Sequence, residues 1–215
     1  AQVIAIEVDR GIVPVLRELM ADTTNVEVHE ADATAIDWVD FVRNVNVARG
    51  RDADAPVSVV ANLPYNIATP LVADLLDDVP QVRDMLVMVQ AEVGRRFCAR
   101  PGDEAHGAVS VKVAYWADAR IVGEVPPTVF LPRPKVDSAL VRITRHVRPA
   151  VDDVDPQRLF ELVRTGFAKR RKMLRSALAG VVTTEQFTEA DIDPTKRAEQ
   201  LELDDWARLC RTVSK

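Results

Sequence analysis

Three apolar stretches of this chain stop abruptly at an acidic or amide side chain: "VIAIEVD", "VEVHEAD" and "VVANLPY". A short apolar run bounded by polar residues is typical of a buried strand. Helical spacing follows the first and the third, and a fourth strand-like run, "DMLVMVQ", leads into "AEVGRRFCAR". Strands that alternate with helices predict a parallel sheet with helices on both faces. The chain is therefore predicted to be an α/β protein.

The side chains at the ends of these strands are candidates for ligand binding. In open α/β sheets, ligands bind beyond the carboxyl ends of the strands, so Glu7, Asp32 and Asn62 are predicted to lie on one rim. An acid at the end of the second strand suits ribose hydroxyls, and a later aspartate can accept a hydrogen bond from an adenine amino group. The alternative is that Glu7, Asp9 or Asp32 caps the helix that follows it.

The second half of the chain has a different pattern. "HGAVSVKVAYWA" is compatible with a helix, and "RIVGEVPPTVFLPRPKVDSALVRITR" holds two strand-like runs around a proline-rich loop, which predicts an antiparallel pair at a sheet edge. After residue 148 an acidic linker precedes helical patterns only, among them one long helix from residue 156 to 180. We therefore predict two domains, residues 1–148 and a small all-helical domain at residues 149–215.

Composition limits the class of protein. The 215 residues are 47% hydrophobic and 28% charged, and no apolar run reaches the roughly 20 residues that span a bilayer. This predicts a cytoplasmic protein without a membrane partner. Cys98 and Cys210 lie far apart, as do His29, His106 and His146, so the spacing predicts no metal site.

Basic residues are concentrated in one segment although the formal net charge is −5. Residues 158–175 carry seven basic side chains and one acidic side chain. Four of the basic residues are consecutive, and arginine suits phosphate contacts, whereas the alternative is a solvated helix face. We expect an RNA-binding surface here, which two further arginines could extend. The residues concerned are Lys169, Arg170, Arg171, Lys172, Arg95 and Arg96.

The segment Asn62-Leu63-Pro64-Tyr65 can activate an exocyclic amine without a strong base. The Asn62 side-chain carbonyl and a main-chain carbonyl at Leu63 or Pro64 could each accept one N–H of a nucleobase amino group, which aims the nitrogen lone pair at an electrophile. Pro64 stiffens the turn, and Tyr65 offers a ring on which a flipped-out base can stack. A proline turn with Tyr65 in the core is the alternative.

The motif "VVANLPYNIATPLVADLL" resembles the catalytic loop of the KsgA-type ribosomal RNA adenine dimethyltransferases. The resemblance continues through "MVQAEVGRRF", "GAVSVKVAYW", "EVPPTVFLPRPKVDSALVRI", "FAKRRKMLRSAL" and "IDPTKRAEQL", and covers nearly the whole chain. It implies a Rossmann-like class I methyltransferase sheet with a small all-helical C-terminal domain.

The resemblance also implies roles for single residues. Glu7 resembles the acid that holds the ribose of S-adenosylmethionine, and Asp32 resembles the residue that contacts its adenine. Asn62 lies between cofactor and target, and Phe130 resembles the aromatic residue that encloses the target adenine against Tyr65. Without the resemblance, Phe130 could equally be a core aromatic. The run Lys169–Lys172 is similar to a basic helix start that faces ribosomal RNA.

The implied activity is the transfer of methyl groups to N6 of two adjacent adenosines in small-subunit ribosomal RNA, by a monomer that needs no metal. Two alternatives stay open: a large-subunit adenine methyltransferase of the kind that confers macrolide resistance, and a non-catalytic RNA-binding assembly factor. The sequence also departs from the family pattern. His106 stands where the family usually has tyrosine, and no G-x-G-x-x-G occurs, so the glycine-rich cofactor loop is expected to be missing and cofactor binding weak.

Overall fold

The computed structural model describes residues 1–213 of the 215-residue chain. The chain divides into two compact units, residues 1–55 and 56–215. One sheet has two strands and the other has four.

The first unit is built on two parallel strands. Its elements are, in order, β1 (Val3–Glu7), α1 (Ile12–Leu19), β2 (Val26–Glu30) and α2 (Trp38–Ala48). The register pairs Val3 with Val26 and Glu7 with Glu30. The carboxyl ends of β1 and β2 therefore lie at the same edge, as the sequence predicts.

The second unit begins with a four-stranded mixed sheet. Its elements are β3 (Val57–Asn62), α3 (Ala68–Asp78), β4 (Val82–Gln90), α4 (Ala91–Cys98), α5 (Ala108–Trp116), β5 (Ala117–Val125) and β6 (Ser138–Arg145). The strand order is β3-β4-β6-β5, and β3 pairs with β4 in parallel while the other pairs are antiparallel. The predicted antiparallel pair at a sheet edge is thus confirmed, with β5 as the edge strand.

Two loops leave this sheet at the same edge. Asn62, the last residue of β3, pairs with Met88 near the carboxyl end of β4. Gln90, the last residue of β4, pairs with Ser138, which begins β6. Ser138 in turn pairs with Val125, which ends β5. The loop after β3 and the loop between β5 and β6 therefore start from one rim.

The two faces of the four-stranded sheet differ in burial. Val87 and Val141 are fully buried, whereas Val60 is 78% exposed. A Cβ at Gly94 of α4 would lie 3.0 Å from Val141, so α4 packs closely on the buried face, and α3 and α5 pack beside it. The helices that connect the strands of this sheet, α3, α4 and α5, therefore lie on its buried face.

The end of the second unit is helical and shares its core with α5. It contains α6 (Pro156–Ala168), α7 (Leu174–Ala177), α8 (Thr184–Glu189) and α9 (Leu203–Val213). Tyr115 of α5 contacts Phe160 of α6 edge to face, with 5.3 Å between ring centroids. Trp206 of α9 is fully buried against Gly166, where a Cβ would collide with the indole. The domain boundary at residues 148 and 149 stays a prediction, and residues 214 and 215 lie outside the described part.

The single long helix predicted for residues 156–180 is wrong, because the chain leaves the helix after α6. The N–H of Lys172 donates to the carbonyl oxygen of Lys169 at 2.8 Å, which closes a turn. Met173 then forms an antiparallel bridge with Arg197. A bridge needs extended backbone, so a continuous helix is excluded by a partner that is distant in sequence. The basic run lies in this turn, between the end of α6 and the N-cap of α7.

His106 fastens the loop between α4 and α5 to the helical tail. The imidazole is 3% exposed and donates from Nδ1 to the carbonyl oxygen of Glu199 at 3.0 Å. The same carbonyl oxygen accepts the N–H of Gly102 at 3.0 Å. Arg170 donates to the Glu199 carboxylate and to the carbonyl oxygen of Glu104. Three segments of the second unit are thus held at one point.

Because His106 is buried, the stability that it contributes through its hydrogen bond with Glu199 depends on pH. Burial is the largest cause that lowers the pKa of His106 from its ordinary value of 6.5; the Arg170 guanidinium adds to it, and the Glu199 carbonyl and the Asp103 and Glu199 carboxylates oppose it. A histidine with a lowered folded-state pKa stabilises the fold fully above the unfolded pKa, and that stability is lost as the pH falls below it.

We therefore expect the free energy of unfolding to fall more steeply between about pH 7 and pH 5.5 in the unaltered protein than in His106→Gln. The difference in slope is at most about 1.4 kcal/mol per pH unit, the value for one proton. Urea unfolding at several pH values measures it. Parallel curves for the two proteins would show that His106 does not titrate between the folded and unfolded states.

Candidate functional site

The loop after β3 leaves two hydrogen-bond acceptors free at the rim of the sheet. Leu63 is buried, and its N–H donates to a backbone carbonyl of β4 at 3.0 Å. The carbonyl oxygen of Pro64 accepts the N–H groups of Ile67 and Ala68, each at 3.1 Å, where α3 begins. The Asn62 side chain and the Leu63 carbonyl oxygen have no hydrogen-bond partner among residues 1–213. Of the two main-chain acceptors considered, the Leu63 carbonyl is therefore the one free to bind.

Tyr65 and Phe130 are the two aromatic residues of this rim. Tyr65 is 43% exposed, which does not support a place in the core. Phe130 is half-buried in the loop between β5 and β6, and its N–H donates to the carbonyl oxygen of Pro127 at 3.3 Å. Neither ring contacts another aromatic ring within residues 1–213. Both rings are available for a ligand, and a base enclosed between them stays a prediction.

Acidic residues near the carboxyl end of β1 divide into a helix cap and a free carboxylate. Asp9 binds the start of α1, because its Oδ1 accepts the N–H groups of Gly11 at 2.7 Å and of Ile12, the first residue of the helix, at 3.3 Å. Glu7 accepts the N–H groups of Val8 and Asp9 through Oε1 at 2.9 and 2.8 Å, which leaves Oε2 free. The capping alternative therefore holds for Asp9 and not for Glu7.

Asp32 is held in its ionised form by its own loop. Its Oδ1 accepts the backbone N–H of Thr34 at 2.8 Å and the hydroxyl of Thr34 at 2.7 Å. These bonds lower the pKa of Asp32, the backbone bond most strongly. Helix α2 is capped by Asp37, whose carboxylate accepts the N–H of Asp40 at 3.1 Å. Asp32 is thus an exposed acceptor that no helix start uses.

Glu7 and Asp32 come together at the carboxyl edge of the first unit. The N–H of Ala31, next to Asp32, donates to the carbonyl oxygen of Glu7 at 3.0 Å. The sequence prediction that strand ends bring these two acids to one rim is consistent with this geometry. Asn62 belongs to the second unit, so its place on the same rim stays a prediction.

Two of the predicted RNA-binding residues form ion pairs with other residues of the described part of the chain, and four do not. Arg170 pairs with Glu199 at 3.1 Å and also donates to the Glu104 carbonyl oxygen, so it holds the fold together. Arg96 pairs with Glu92 one helical turn away. The remaining four have no ion pair among residues 1–213: Arg95, Lys169, Arg171 and Lys172.

The bridge between Met173 and Arg197 adds basic residues that sequence reasoning missed. The N–H of Leu174 donates to the carbonyl oxygen of Lys196 at 2.8 Å, which aligns the two segments. The motif "IDPTKRAEQL" contains the second segment, but no local pattern reveals its pairing. Apart from Arg170, which holds the fold, the exposed basic residues of both segments form the basic surface, defined as Lys169, Arg171, Lys172, Arg175, Lys196 and Arg197.

A cavity lies beside the loop between β5 and β6. Its volume is about 270 Å³, and it is lined by residues 90–92, Arg95 and residues 135–137. The N–H of Ala91 donates to the carbonyl oxygen of Asp137 at 2.9 Å and joins the start of α4 to the loop. Arg95 therefore lies beside the loop between β5 and β6.

Residues 1–213 contain no group of three or more histidine, cysteine, aspartate or glutamate side chains that could hold a metal ion. None of their helices combines the length and the apolar character that a membrane span requires.

Comparison with known proteins gives a consistent result. The family model described as "Ribosomal RNA adenine dimethylase" matches residues 1–215. A protein of Cutibacterium acnes named "Ribosomal RNA small subunit methyltransferase A" is 42% identical over 100% of this chain and 72% of its own length. Proteins of the same name from Enterococcus faecalis and Moorella thermoacetica are 37% and 39% identical, over 74% and 75% of their own lengths.

Solved structures show the same fold. A dimethyladenosine transferase from Plasmodium falciparum superposes with a TM-score of 0.78 at 21% identity, over 97% of this chain and 80% of its own. The 23S rRNA methyltransferase ErmE superposes with a TM-score of 0.70 at 22% identity, over 100% of this chain and 82% of its own. The predicted Rossmann-like methyltransferase fold is thereby confirmed.

Proposed function

This chain belongs to the ribosomal RNA adenine dimethylase family, and from that premise we propose that it transfers methyl groups from S-adenosylmethionine to N6 of two adjacent adenosines in small-subunit ribosomal RNA. The observation that carries the proposal is the pair of free acceptors on the rim, the Asn62 amide oxygen and the Leu63 carbonyl oxygen. A cytoplasmic, monomeric enzyme is part of the same proposal.

The free acceptors explain how an amine of low reactivity is used. The N6 lone pair of adenine is delocalised into the ring, so the nitrogen must be oriented before it can react. Asn62 and Leu63 each accept one N–H, which directs the lone pair to the opposite side. Tyr65 and Phe130 stack on the base, an interaction worth about 1–3 kcal/mol per base. The monomethylated product keeps one N–H, so it uses only one of the two acceptors in the second transfer, and stacking on Tyr65 and Phe130 holds the base in place.

Glu7 and Asp32 fit the adenosine half of S-adenosylmethionine. Each carboxylate has an oxygen without a partner among residues 1–213, and ionised carboxylates accept hydrogen bonds from ribose hydroxyls or an adenine amino group. The backbone N–H groups of Val8 and Asp9 hold the Glu7 carboxylate in place, and the backbone N–H of Thr34 holds the Asp32 carboxylate. When bound, the cofactor supplies an electrophilic sulfonium methyl group. Transfer would form the bond from N6 to the methyl group as the bond from sulfur to that methyl group breaks, would release S-adenosylhomocysteine and the amine proton, and would need no nucleophile from the protein.

The test is incubation with under-methylated small ribosomal subunits and a radiolabelled methyl donor. We expect label in small-subunit RNA, and primer extension is expected to stop at two adjacent adenosines. Label in large-subunit RNA would favour the macrolide-resistance type of enzyme. Subunit binding without label, together with no heat of cofactor binding in calorimetry, would favour an assembly factor without catalysis.

The basic surface is expected to bind RNA phosphates. Each phosphate contact that is lost should reduce the slope of log affinity against log salt by about 1. We expect the double variant Arg171→Ala/Lys172→Ala to weaken RNA binding and to flatten this slope by up to about 2.

A control with the same change of charge is Arg83→Ala/Arg120→Ala, which removes two exposed arginines from β4 and β5. Filter binding over a range of salt concentrations compares the two variants. Equal slopes would mean that the basic surface does not contact phosphate. Arg170 is left intact because its contacts with Glu199 and Glu104 hold the fold.

A further inference from the structure

The loop between β5 and β6 presents a leucine entirely to solvent. Leu131 is 100% exposed, and its neighbour Val129 is 63% exposed. The Leu131 side chain is not packed against other residues of the described part, 1–213, so it does not contribute to the core. The side chain is therefore available to an external partner.

Proline residues fix the loop that carries Leu131. Pro126 and Pro127 begin a short 3₁₀ helix, and Pro132 and Pro134 follow Leu131. Each proline restricts the backbone angle φ, so the loop loses little further entropy when it binds. The N–H of Val129 donates to the carbonyl oxygen of Pro126 at 3.3 Å and closes the turn. A rigid, exposed apolar tip is the result.

The position of the tip relates it to the target base. The loop starts from the rim that also carries Asn62, because Asn62 ends β3 where β4 and β6 pair. Phe130 has extended backbone angles, φ −108° and ψ 147°. Adjacent side chains of extended backbone point to opposite sides, so Leu131 lies across the loop from the ring that stacks on the target.

Charge at the loop favours nucleic acid as the partner. Arg133 and Lys135 are exposed, and neither has an ion pair among residues 1–213. Two cations beside an apolar tip suit a base stack bordered by phosphates.

We propose that Leu131 inserts into the RNA base stack at the position from which the target adenosine has been extruded. An enzyme that acts on a base must take it out of the stack, and apolar side chains inserted between base steps stabilise the unstacked state. Leu131 is thus a positioning residue: it holds the RNA open and does not contact the reacting nitrogen. The inference rests on the proposed function for the identity of the extruded base.

The test compares Leu131→Ala with Leu131→Met, which keeps the side-chain volume, and with Val147→Ala, which shortens another apolar side chain, 93% exposed, outside this loop. With under-methylated small subunits, we expect Leu131→Ala to lower kcat/KM on the order of tenfold. Leu131→Met should restore most of the rate, and Val147→Ala should leave it unchanged. Equal rates for Leu131→Ala and the unaltered protein would overturn the proposal.

A second readout does not depend on methyl transfer. In an RNA hairpin that carries 2-aminopurine at the target position, fluorescence rises when the base leaves the stack. We expect the unaltered protein to produce the rise and Leu131→Ala to lose most of it. If neither the unaltered protein nor any variant transfers methyl groups, the proposed function is wrong. A rise in 2-aminopurine fluorescence that depends on Leu131 would still support insertion. The same fluorescence with both proteins would refute insertion.

Discussion

Replacing Asn62 by alanine is expected to lower kcat by about 10²- to 10³-fold, the usual effect of removing one preorganised hydrogen-bond partner of a reacting group. The affinity for ribosomal RNA should stay within about twofold, because phosphate contacts at the basic surface supply most of it. The Asn62 side chain makes no hydrogen bond within residues 1–213, so its loss should not disturb the fold. Single-turnover methylation of saturating small subunits measures the effect.

Asn66→Ala is the matched control for Asn62→Ala. Asn66 is the same residue type, is exposed, and lies in the same loop after Tyr65. Its removal changes the solvation of the loop but leaves both proposed acceptors of the amino group in place. Comparable losses of kcat in the two variants would show that the loop acts through its general conformation and not through the Asn62 amide.

The strand ends illustrate what local sequence can predict. Apolar runs that stop at Glu7 and Asn62 fix where β1 and β3 end, because the change from buried to polar side chains is a local property. Helix α2, by contrast, is not among the elements that the sequence predicts. Its sequence "WVDFVRNVNVA" is rich in valine and asparagine, which have low helix propensity. The Asp37 cap and the contact of Trp38 with Phe41, 5.7 Å between ring centroids, accompany the helix.

The structural features that the sequence does not predict depend on contacts with residues that are distant in sequence. The break in the helix at residues 169–173 depends on Arg197, which lies more than twenty residues away. The choice between the Leu63 and Pro64 carbonyl oxygens depends on how α3 begins. Arg170 and Arg171 are adjacent residues of the same type, so local sequence does not distinguish them. Only the position of Glu199 shows that Arg170 forms an ion pair within the fold, whereas Arg171 forms none among residues 1–213. Each case needs a partner that periodicity does not reveal.

Loss of the Arg145 side chain is expected to reduce the stability of the second unit strongly. At the end of β6 its Nη2 donates to the carbonyl oxygens of Leu75, Leu76 and Val79 at 2.9, 2.8 and 3.3 Å. Its Nε donates to the carbonyl oxygen of Val82 at 2.8 Å. The carbonyl groups at the end of a helix have no partners within the helix, so Arg145 satisfies the end of α3 and joins it to β4 and β6.

Because Arg145 is partly buried, its hydrogen bonds should contribute more to stability than hydrogen bonds at the surface. The guanidinium lies 5.5 Å from the centroid of the Trp116 ring, and the Trp116 indole donates to Asp77 of α3 at 2.7 Å. Burial is the main cause that lowers the pKa of the Arg145 guanidinium, with a contribution from Arg83. Hydrogen bonds in such a setting are costly to leave unmade, because the acceptors are shielded from water.

We expect Arg145→Ala to lower the free energy of unfolding by about 3 kcal/mol, because the variant loses four hydrogen bonds from a charged donor and leaves the Leu76 carbonyl oxygen at the end of α3 without a protein donor. Arg145→Lys should recover only part of this, since a single ammonium cannot reproduce the planar fork. Arg142→Ala is the control: this arginine lies on the same strand, 49% exposed and paired with Asp84 at 3.2 Å, and its loss should cost less than about 1 kcal/mol. Chemical denaturation measures all three variants. If Arg145→Ala were no less stable than Arg142→Ala, the end of α3 would have to be satisfied by water, and Arg145 would not be what joins this helix to the sheet.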